Sequence, residues 1–335
     1  MNMLTKTLFG ATFAGCMTVL PAMADTANLK FGTGIPSAGD QWKDYHADWA
    51  ARVEKSAGDA LKLELYPDSA LGKNGQMFDR VDAGVADIAW DLPLVYGNRF
   101  AGLTVVGLPN FFRDNVAACG AIWKMYEAGM FPALDDYKVI AFTCNPNVNI
   151  ITKTPLKDIT DLSGLKIGLG SKLRGEIVKR MGGVPVSVIV PEYYQSLSRG
   201  VIDGVMTNIA VMQAWKLDEE VKYIVDAPFG LAVGAVFMKK STYDALSDAA
   251  KKAIDDNAGY DETIRASENV TAAEKRFTDQ VTAAGVSVAS ATDAQIERLR
   301  EMTAGLEKEW VDATPNGAAL RQAFIDAYNK EVSSR

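Results

Sequence analysis

Few residues in this chain have the types and spacing that catalysis or metal binding requires. The single histidine, His46, sits in a helical run of aromatics with no evident acid or base partner, so it reads as structural rather than as a general base. The three cysteines, Cys16, Cys119 and Cys144, form no Cys-x-x-Cys pair, and no carboxylate cluster accompanies them, which leaves no recognisable metal site. Gly32-x-Gly34 and Gly168-x-Gly170 lack the third glycine of a dinucleotide fingerprint and read as strand-to-helix loops. There is no Gly-x-Ser-x-Gly elbow and no Walker-type loop. Neither an enzyme nor a cofactor is expected, and the remaining chemistry is that of recognition. Trp90-Asp91 sets a carboxylate beside an indole, a pair that can hold an amine or a quaternary ammonium, though a solvated turn residue or a cap before Leu92-Pro93 is the stronger reading of Asp91. Arg174 falls in the first turns of a helix, where it is either a surface residue or an anchor for a carboxylate.

The stretch from Pro155 to Gly204 must position such groups. It gives a short strand at Leu165–Leu169, a helix over about Lys172–Met181 and a Gly-Gly stop. A second strand at Val184–Val190 and a helix carrying Tyr194 and Leu197 follow, before Gly-Val-Ile-Asp-Gly. Strand-length apolar runs alternating with helical periodicity mark βαβ units on a parallel sheet. Ligands sit beyond the carboxyl ends of such strands, here after Ile167, Val188 and Gly204. Upstream, the strand LKFGTG leads to the loop Ile35–Gly39 and a helix over about Gln41–Ser56, with Trp42, Tyr45, Trp49 and Val53 on its core face. A strand over Leu61–Tyr66, a helix over Asn74–Ala83 and the run GVADIAW continue the alternation, and a helix over about Asn115–Tyr126 and a strand at Lys138–Thr143 end the first unit. A returning strand within Ala227–Met238 suggests that the chain crosses back. Thr242 to Ala284 then reads as helix for roughly forty residues, about 60 Å, interrupted only by Gly259. Two more helices, near Asp293–Trp310 and Gly317–Lys330, close the chain.

The 335 residues are 48% hydrophobic and 23% charged, an ordinary globular composition with room for two domains. A net charge of −7 argues against nucleic acid or an anionic membrane surface as partner. Lys6, the apolar run from Leu8 to Leu20 and Ala22-Met23-Ala24 together form a secretory signal peptide over residues 1–24, with cleavage after Ala24 preferred to lipidation at Cys16. No other apolar run is long enough to span a bilayer, so an exported protein without direct membrane insertion is expected. Cys119 and Cys144 could pair in an oxidising compartment, but nothing in their spacing demands it, and they read as two small buried hydrophobes.

LKDITDLSGLKIG, GGVPVSVIVPEYYQSL and GVIDG, in that order, resemble the core signature of the substrate-binding proteins of TRAP transporters, the DctP-type family. The helix ending in Ser-x-Gly, the YPDSALG turn, GVADIA and Gly107-Leu-Pro109-Asn-Phe-Phe112 resemble the same family, so that the likeness covers about Leu29 to Tyr328. The resemblance implies an α/β, two-lobed periplasmic binding protein fold. It has a mainly parallel sheet in each lobe, a ligand cleft between the lobes and a long helix spanning both. The boundaries expected are lobe I at 25–150, rejoined by about 227–245, lobe II at 151–226, the spanning helix at 246–284 and C-terminal helices at 285–335. The function implied is a periplasmic receptor that delivers a small-molecule ligand to the small and large permease subunits of an ion-gradient-driven transporter.

Four departures from the family pattern bear on the ligand. Gly168 stands where most members carry a carboxylate-binding arginine, and Thr207, followed by Asn208, stands where many carry a ligand-facing asparagine. Val190 replaces a frequent aromatic, and the segment Asn145, Pro146, Asn147, Val148, Asn149 lacks a common second basic residue. A neutral or amine-bearing solute is therefore ranked ahead of an organic acid. The alternative is a dicarboxylate or sugar acid held by another arginine, with Arg174 the best candidate and Arg99 and Arg113 behind it. Trp215, near the hinge, could close over a ligand. An exported enzyme or a sensory co-receptor remains the competing class.

Overall fold

The computed structural model describes residues 26–109 and 112–335. The expected signal peptide with its cleavage after Ala24, and Asn110 and Phe111 of the Leu-Pro-aromatic element, lie outside the described residues. Two sheets divide the chain. Strands β1 (Ala27–Thr33), β2 (Leu61–Tyr66), β3 (Ile88–Asp91) and β4 (Tyr137–Asn145) belong to the first sheet. The chain then crosses through 146–148 to β5 (Asn149–Thr152), β6 (Lys166–Leu169), β7 (Val184–Ser187), β8 (Gly204–Thr207) and β9 (Tyr223–Asp226) in the second. It returns through 227–231 to β10 (Ala232–Lys239) in the first sheet, and β11 (Ser287–Ser290) closes an edge of the second.

The strand orders are β2-β1-β3-β10-β4 and β11-β9-β5-β8-β6-β7. The strands joined by βα units pair in parallel: β1 with β2 and β3, and β6 with β7 and β8. The crossing strands β5 and β10 pair antiparallel with both of their neighbours, because each enters its sheet from the opposite lobe. β10 is apolar over nearly its whole length because it lies between β3 and β4 with both faces covered. In lobe I one face of the sheet packs on the aromatic helix, where Trp42, Tyr45, Trp49 and Val53 are all buried as expected. The other face packs on the helix Asn115–Glu127, whose Cys119 lies with Cys144 in the same core as free thiols.

The forty-residue helix is not continuous. It is three helices, Lys240–Asp244, Asp248–Asp255 and Tyr260–Ala283, and only the last is long: 24 residues, about 36 Å. Gly259 makes the break before the last of them. Its φ of 100° is open to glycine and strained for other residues, and its N–H donates to the Ile140 carbonyl of β4 rather than to a helical neighbour. That bond turns the chain so that Tyr260–Ala283 packs on β4 and the Asn115–Glu127 helix at one end and on the helix Ile209–Ala214 of the second lobe at the other. The spanning helix is thus present, in shortened form. The segment after it contributes β11, parallel to β9, where only helices were expected. The closing helices are Asp293–Thr303, Leu306–Ala313 and Gly317–Ser334. No helix among the described residues is long and apolar enough to cross a membrane.

Candidate ligand-binding cleft

A cavity of about 430 Å³ lies between the lobes, at the carboxyl ends of β1, β3, β6, β7 and β8. This is where ligands collect in open α/β sheets. Lobe I contributes the loop after β1, with Ile35, Pro36 and Asp40, and the exit of β3, with Trp90, Leu92 and Leu94. Lobe II contributes Gly170 and Arg174 after β6, Val188 to Val190 after β7, and Thr207 and Asn208 after β8. Val270, Ala273 and Glu274 of the long helix, with Trp215, complete the wall. The walls are mostly apolar, and the few polar groups are therefore the ones that discriminate.

Trp90 is a fixed wall. It is 1% exposed, and its indole Nε1 donates to Thr143 Oγ1 at 2.9 Å across the sheet. The ring fits because position 234 on β10 is glycine: a Cβ there would lie 2.6 Å from the indole. His46 supports Trp90 from behind, with ring centroids 5.6 Å apart. Burial lowers the His46 pKa to about 3, so the imidazole is neutral, and neither of its nitrogens has a partner. It is a packed aromatic outside the cavity, in keeping with the structural reading.

Asp91 has a different role from the one its neighbour suggested. It is fully buried and accepts hydrogen bonds from the backbone N–H groups of Gly75, Met77 and Leu92, at 2.8–2.9 Å, and from the Tyr96 hydroxyl at 2.5 Å. Burial pushes its carboxyl up, and these four donors oppose that shift. Asp91 therefore anchors the loop ahead of the helix Met77–Asp82 and does not line the cavity. Gly168 does not line it either. A Cβ at this position would sit 2.7 Å from Ile202 Cδ1, so the space beside this strand is filled by the lobe II core.

Two basic residues line the cleft, Lys73, which is exposed, and Arg174, which is half-buried. Arg174 sits in the first turn of the helix Lys172–Arg180, aimed over the cavity and toward Tyr193. Burial lowers its pKa to about 10, so it stays cationic at neutral pH, and among the described residues it has neither an ion pair nor a hydrogen bond. The other candidate arginine near lobe I, Arg99, is occupied by Asp79, Asp82 and the Tyr137 hydroxyl, and does not reach the cleft. Arg113 is exposed and lines a different cavity, as do Asn147 and Asn149. Asn145 lines the cleft, nearly buried, with its Oδ1 unpartnered. The Asn208 Nδ2 donates to the Pro146 carbonyl at 2.8 Å, tying lobe II to the first crossing segment.

Of the residues singled out in the sequence, Trp90, Asn145, Arg174, Val190, Thr207, Asn208 and Trp215 meet around one cavity. Asp91, Asn147, Asn149 and Gly168 lie outside it. Sequence reasoning missed Tyr193 and Glu274. Tyr193 stands in the quoted Pro-Glu-Tyr-Tyr run, and the structure shows that it, rather than Tyr194, is the inward tyrosine. Glu274, in Ala-Ala-Glu-Lys-Arg, carries no local signal at all. No group of three or more histidines, cysteines or carboxylates among the described residues could hold a metal ion.

The family model for bacterial extracellular solute-binding proteins, family 7, matches residues 31–313. The 2,3-diketo-L-gulonate-binding periplasmic protein YiaO of Escherichia coli is 27% identical over 288 residues, covering 81% of this chain and 83% of its own. A TRAP solute-binding protein from a marine metagenome, specific for aromatic acid ligands and crystallised with 3-hydroxybenzoate, matches with a TM-score of 0.86 and 28% identity, over 91% of this chain and 99% of its own. A TRAP solute-binding protein of Rhodoferax ferrireducens, crystallised with copurified benzoate, has the same fold, with a TM-score of 0.87 at 24% identity over 92% and 99% of the two chains. These neighbours are solute-binding receptors and not enzymes. The two sheets, the crossing strands, the cleft between them and the matched family model agree: this chain belongs to the family 7 extracellular solute-binding proteins, the periplasmic receptors of TRAP transporters.

Proposed function

We propose that this receptor captures a small monocarboxylic acid with an apolar, ring-sized body, and delivers it to the two-part membrane permease of a TRAP transporter in the periplasm. The observation that carries this reading is Arg174: a half-buried guanidinium, without a partner among the described residues, in a cavity whose other walls are largely apolar. A desolvated cation without a counter-ion is costly, and a ligand carboxylate removes that cost through charge-assisted, potentially bidentate hydrogen bonds. Asp91, the carboxylate that would have favoured an amine, is already saturated by four donors. The acid reading therefore stands ahead of the neutral or amine-bearing one. Trp90, Leu92, Val188 and Val190 suit an apolar ring, and Asn145 Oδ1 offers an acceptor for a hydroxyl on it. The related receptor with 28% identity binds aromatic acids, which agrees with a cavity of this lining.

The test is a thermal-shift and calorimetric comparison on protein refolded to strip any bound solute. Benzoate, 3-hydroxybenzoate and mandelate are set against benzyl alcohol, benzylammonium, a dicarboxylate and a sugar acid. A ligand at a hundred times its Kd stabilises by about 2.7 kcal/mol, an easily read shift. Stabilisation by the aromatic monocarboxylates, lost in Arg174→Met, is the expected result. Stabilisation by benzyl alcohol with none by the aromatic acids would reject it.

A further inference from the structure

A second cavity, of about 440 Å³, is lined by the crossing segments and by Thr271, Glu274 and Thr278 of the long helix. It has a different chemical character. Three oxygens of residues that line it are buried without a hydrogen-bond partner: Asn147 Oδ1, Asn149 Oδ1 and Glu274 Oε2. Asn149 is 3% exposed and Glu274 is 7% exposed, so neither can turn out to bulk water. All three are acceptors, and the Asn149 amide nitrogen already faces the Val225 carbonyl.

Five charged side chains border this cavity. Lys275 and Asp279 neutralise one another at 2.7 Å, which leaves Arg113 at the exposed rim against Asp226 and Glu274. The Glu274 carboxyl is held at the start of the helix Ile209–Ala214 by the N–H groups of Ile209 and Ala210. Burial is the main reason that its pKa is pushed up to about 8, and the charge of Asp226 adds to the shift. Two carboxyl groups close enough to repel, with three unsatisfied acceptor oxygens and no internal cation beside them, describe a site that lacks a donor carrying positive charge. The rest of the lining, including Pro146, Ile209, Pro228, Val288 and Ile296, is apolar, and the volume far exceeds that of one ion.

We propose that this second cavity binds a small organic ammonium compound. Its N–H donors face Glu274, Asp226 and the amide oxygens of Asn147 and Asn149, and its hydrocarbon part lies against the apolar wall. The site adjoins the acid site, with Glu274 lining both cavities. It is built on the two crossing segments and the long helix that join the lobes, so an occupant would touch the parts that must bend when the cleft closes. Glu274 gives up its proton when the ammonium arrives, because the new positive charge replaces that proton as the carboxyl's partner.

Cyclohexylammonium and n-butylammonium are the probes, with cyclohexanol, tetramethylammonium and potassium chloride as controls, each titrated calorimetrically into the mature protein at pH 7. The expected result is saturable binding of the primary ammonium compounds and at least tenfold weaker binding of the neutral and donor-free controls. Release of a fraction of a proton, read from the dependence of the heat on the buffer's ionisation enthalpy, is expected as well. Glu274→Gln should abolish the proton release and weaken binding about tenfold. Should that variant fold poorly, Asp226→Asn, at an exposed position, is expected to weaken binding several-fold. Equal binding of cyclohexanol, loss of ammonium binding in Arg174→Met, or no saturable heat with any probe would overturn the proposal. The second of these would assign the amine to the cleft, and the third would mean that the cavity holds only water. Neither result bears on whether the aromatic acids bind at Arg174.

Discussion

The two cavities lie back to back, share Glu274, and are opposite in what each leaves unpaired. The cleft holds a cation that pairs with no anion among the described residues, Arg174, in a largely apolar wall. The rear cavity holds acceptor oxygens without donors, at Asn147, Asn149 and Glu274. The rear cavity lies on the crossing segments, the cleft at the strand ends beside them, and neither has a catalytic constellation among the described residues. The difference teaches that a binding site is best recognised by its unmet demand for charge or hydrogen bonds. Asp91 is the control for this lesson. It is a buried carboxylate near the cleft, promising in sequence, yet saturated by four donors and therefore a structural residue.

The strongest way to break the comparison is to remove the shared architecture. Trp90→Ala deletes a buried indole that walls the cleft and closes over Gly234 and Thr143. A loss of about 3–5 kcal/mol of stability is expected from such a truncation, together with loss of acid binding. Denaturant unfolding checks it, and a loss below about 1 kcal/mol would show that Trp90 is not the packed wall described.

Glu274 gives the next largest effect, and it depends on pH. Its folded pKa of about 8 lies above its ordinary value of 4.5, so the folded state retains a proton that the unfolded chain releases. The associated stability is full below about pH 4.5 and is lost as pH rises through about 8. Glu274→Gln has no such dependence. The variant should therefore gain on the native chain by on the order of 4 kcal/mol between pH 4.5 and pH 9, read from unfolding curves at both limits. A constant difference across that range would mean that Glu274 is already ionised and paired.

Arg174→Met should weaken an aromatic acid by about 1.5–3 kcal/mol, with Arg174→Lys recovering part of the loss, since a point charge replaces the fork. Titration calorimetry distinguishes this from an effect on folding. The smallest change separates two ligands rather than two proteins. Asn145→Leu should cost about 1 kcal/mol with 3-hydroxybenzoate and almost nothing with benzoate, because only the former has a donor for the freed Oδ1. An equal loss for both acids would place the asparagine's effect in packing.

Much of this molecule was legible along the chain. The βα units of lobe II were bounded to within a few residues, since apolar periodicity and the Gly182-Gly183 stop are local signals. The cleft's location followed from the ends of those strands, and seven of its lining residues were named before the fold was known. Where the reading failed, the deciding contact came from far away in sequence. The long helix breaks at Gly259 because that N–H bonds to Ile140, more than a hundred positions earlier. β11 was read as part of a helical tail because four residues of weak pattern become a strand only beside β9.

The sequence by itself determined the class of fold and the family. Both are written in the order of strands, helices and turns, and each of those is specified by neighbours within about ten residues. It also named Arg174 as a candidate from its place in the first turns of the helix after β6, without deciding between a surface residue and an anchor. Only the tertiary structure decided which charges are free. Asp91 lost its candidacy to Gly75, Met77, Leu92 and Tyr96, and Arg99 to Asp79, Asp82 and Tyr137. Glu274 carries no signal in the sequence and is set apart only by the Ile209 and Ala210 N–H groups packed over it. Whether a charged group is available for a ligand depends on its desolvation and on its partners. Both are properties of the whole packed chain, and no local pattern encodes them.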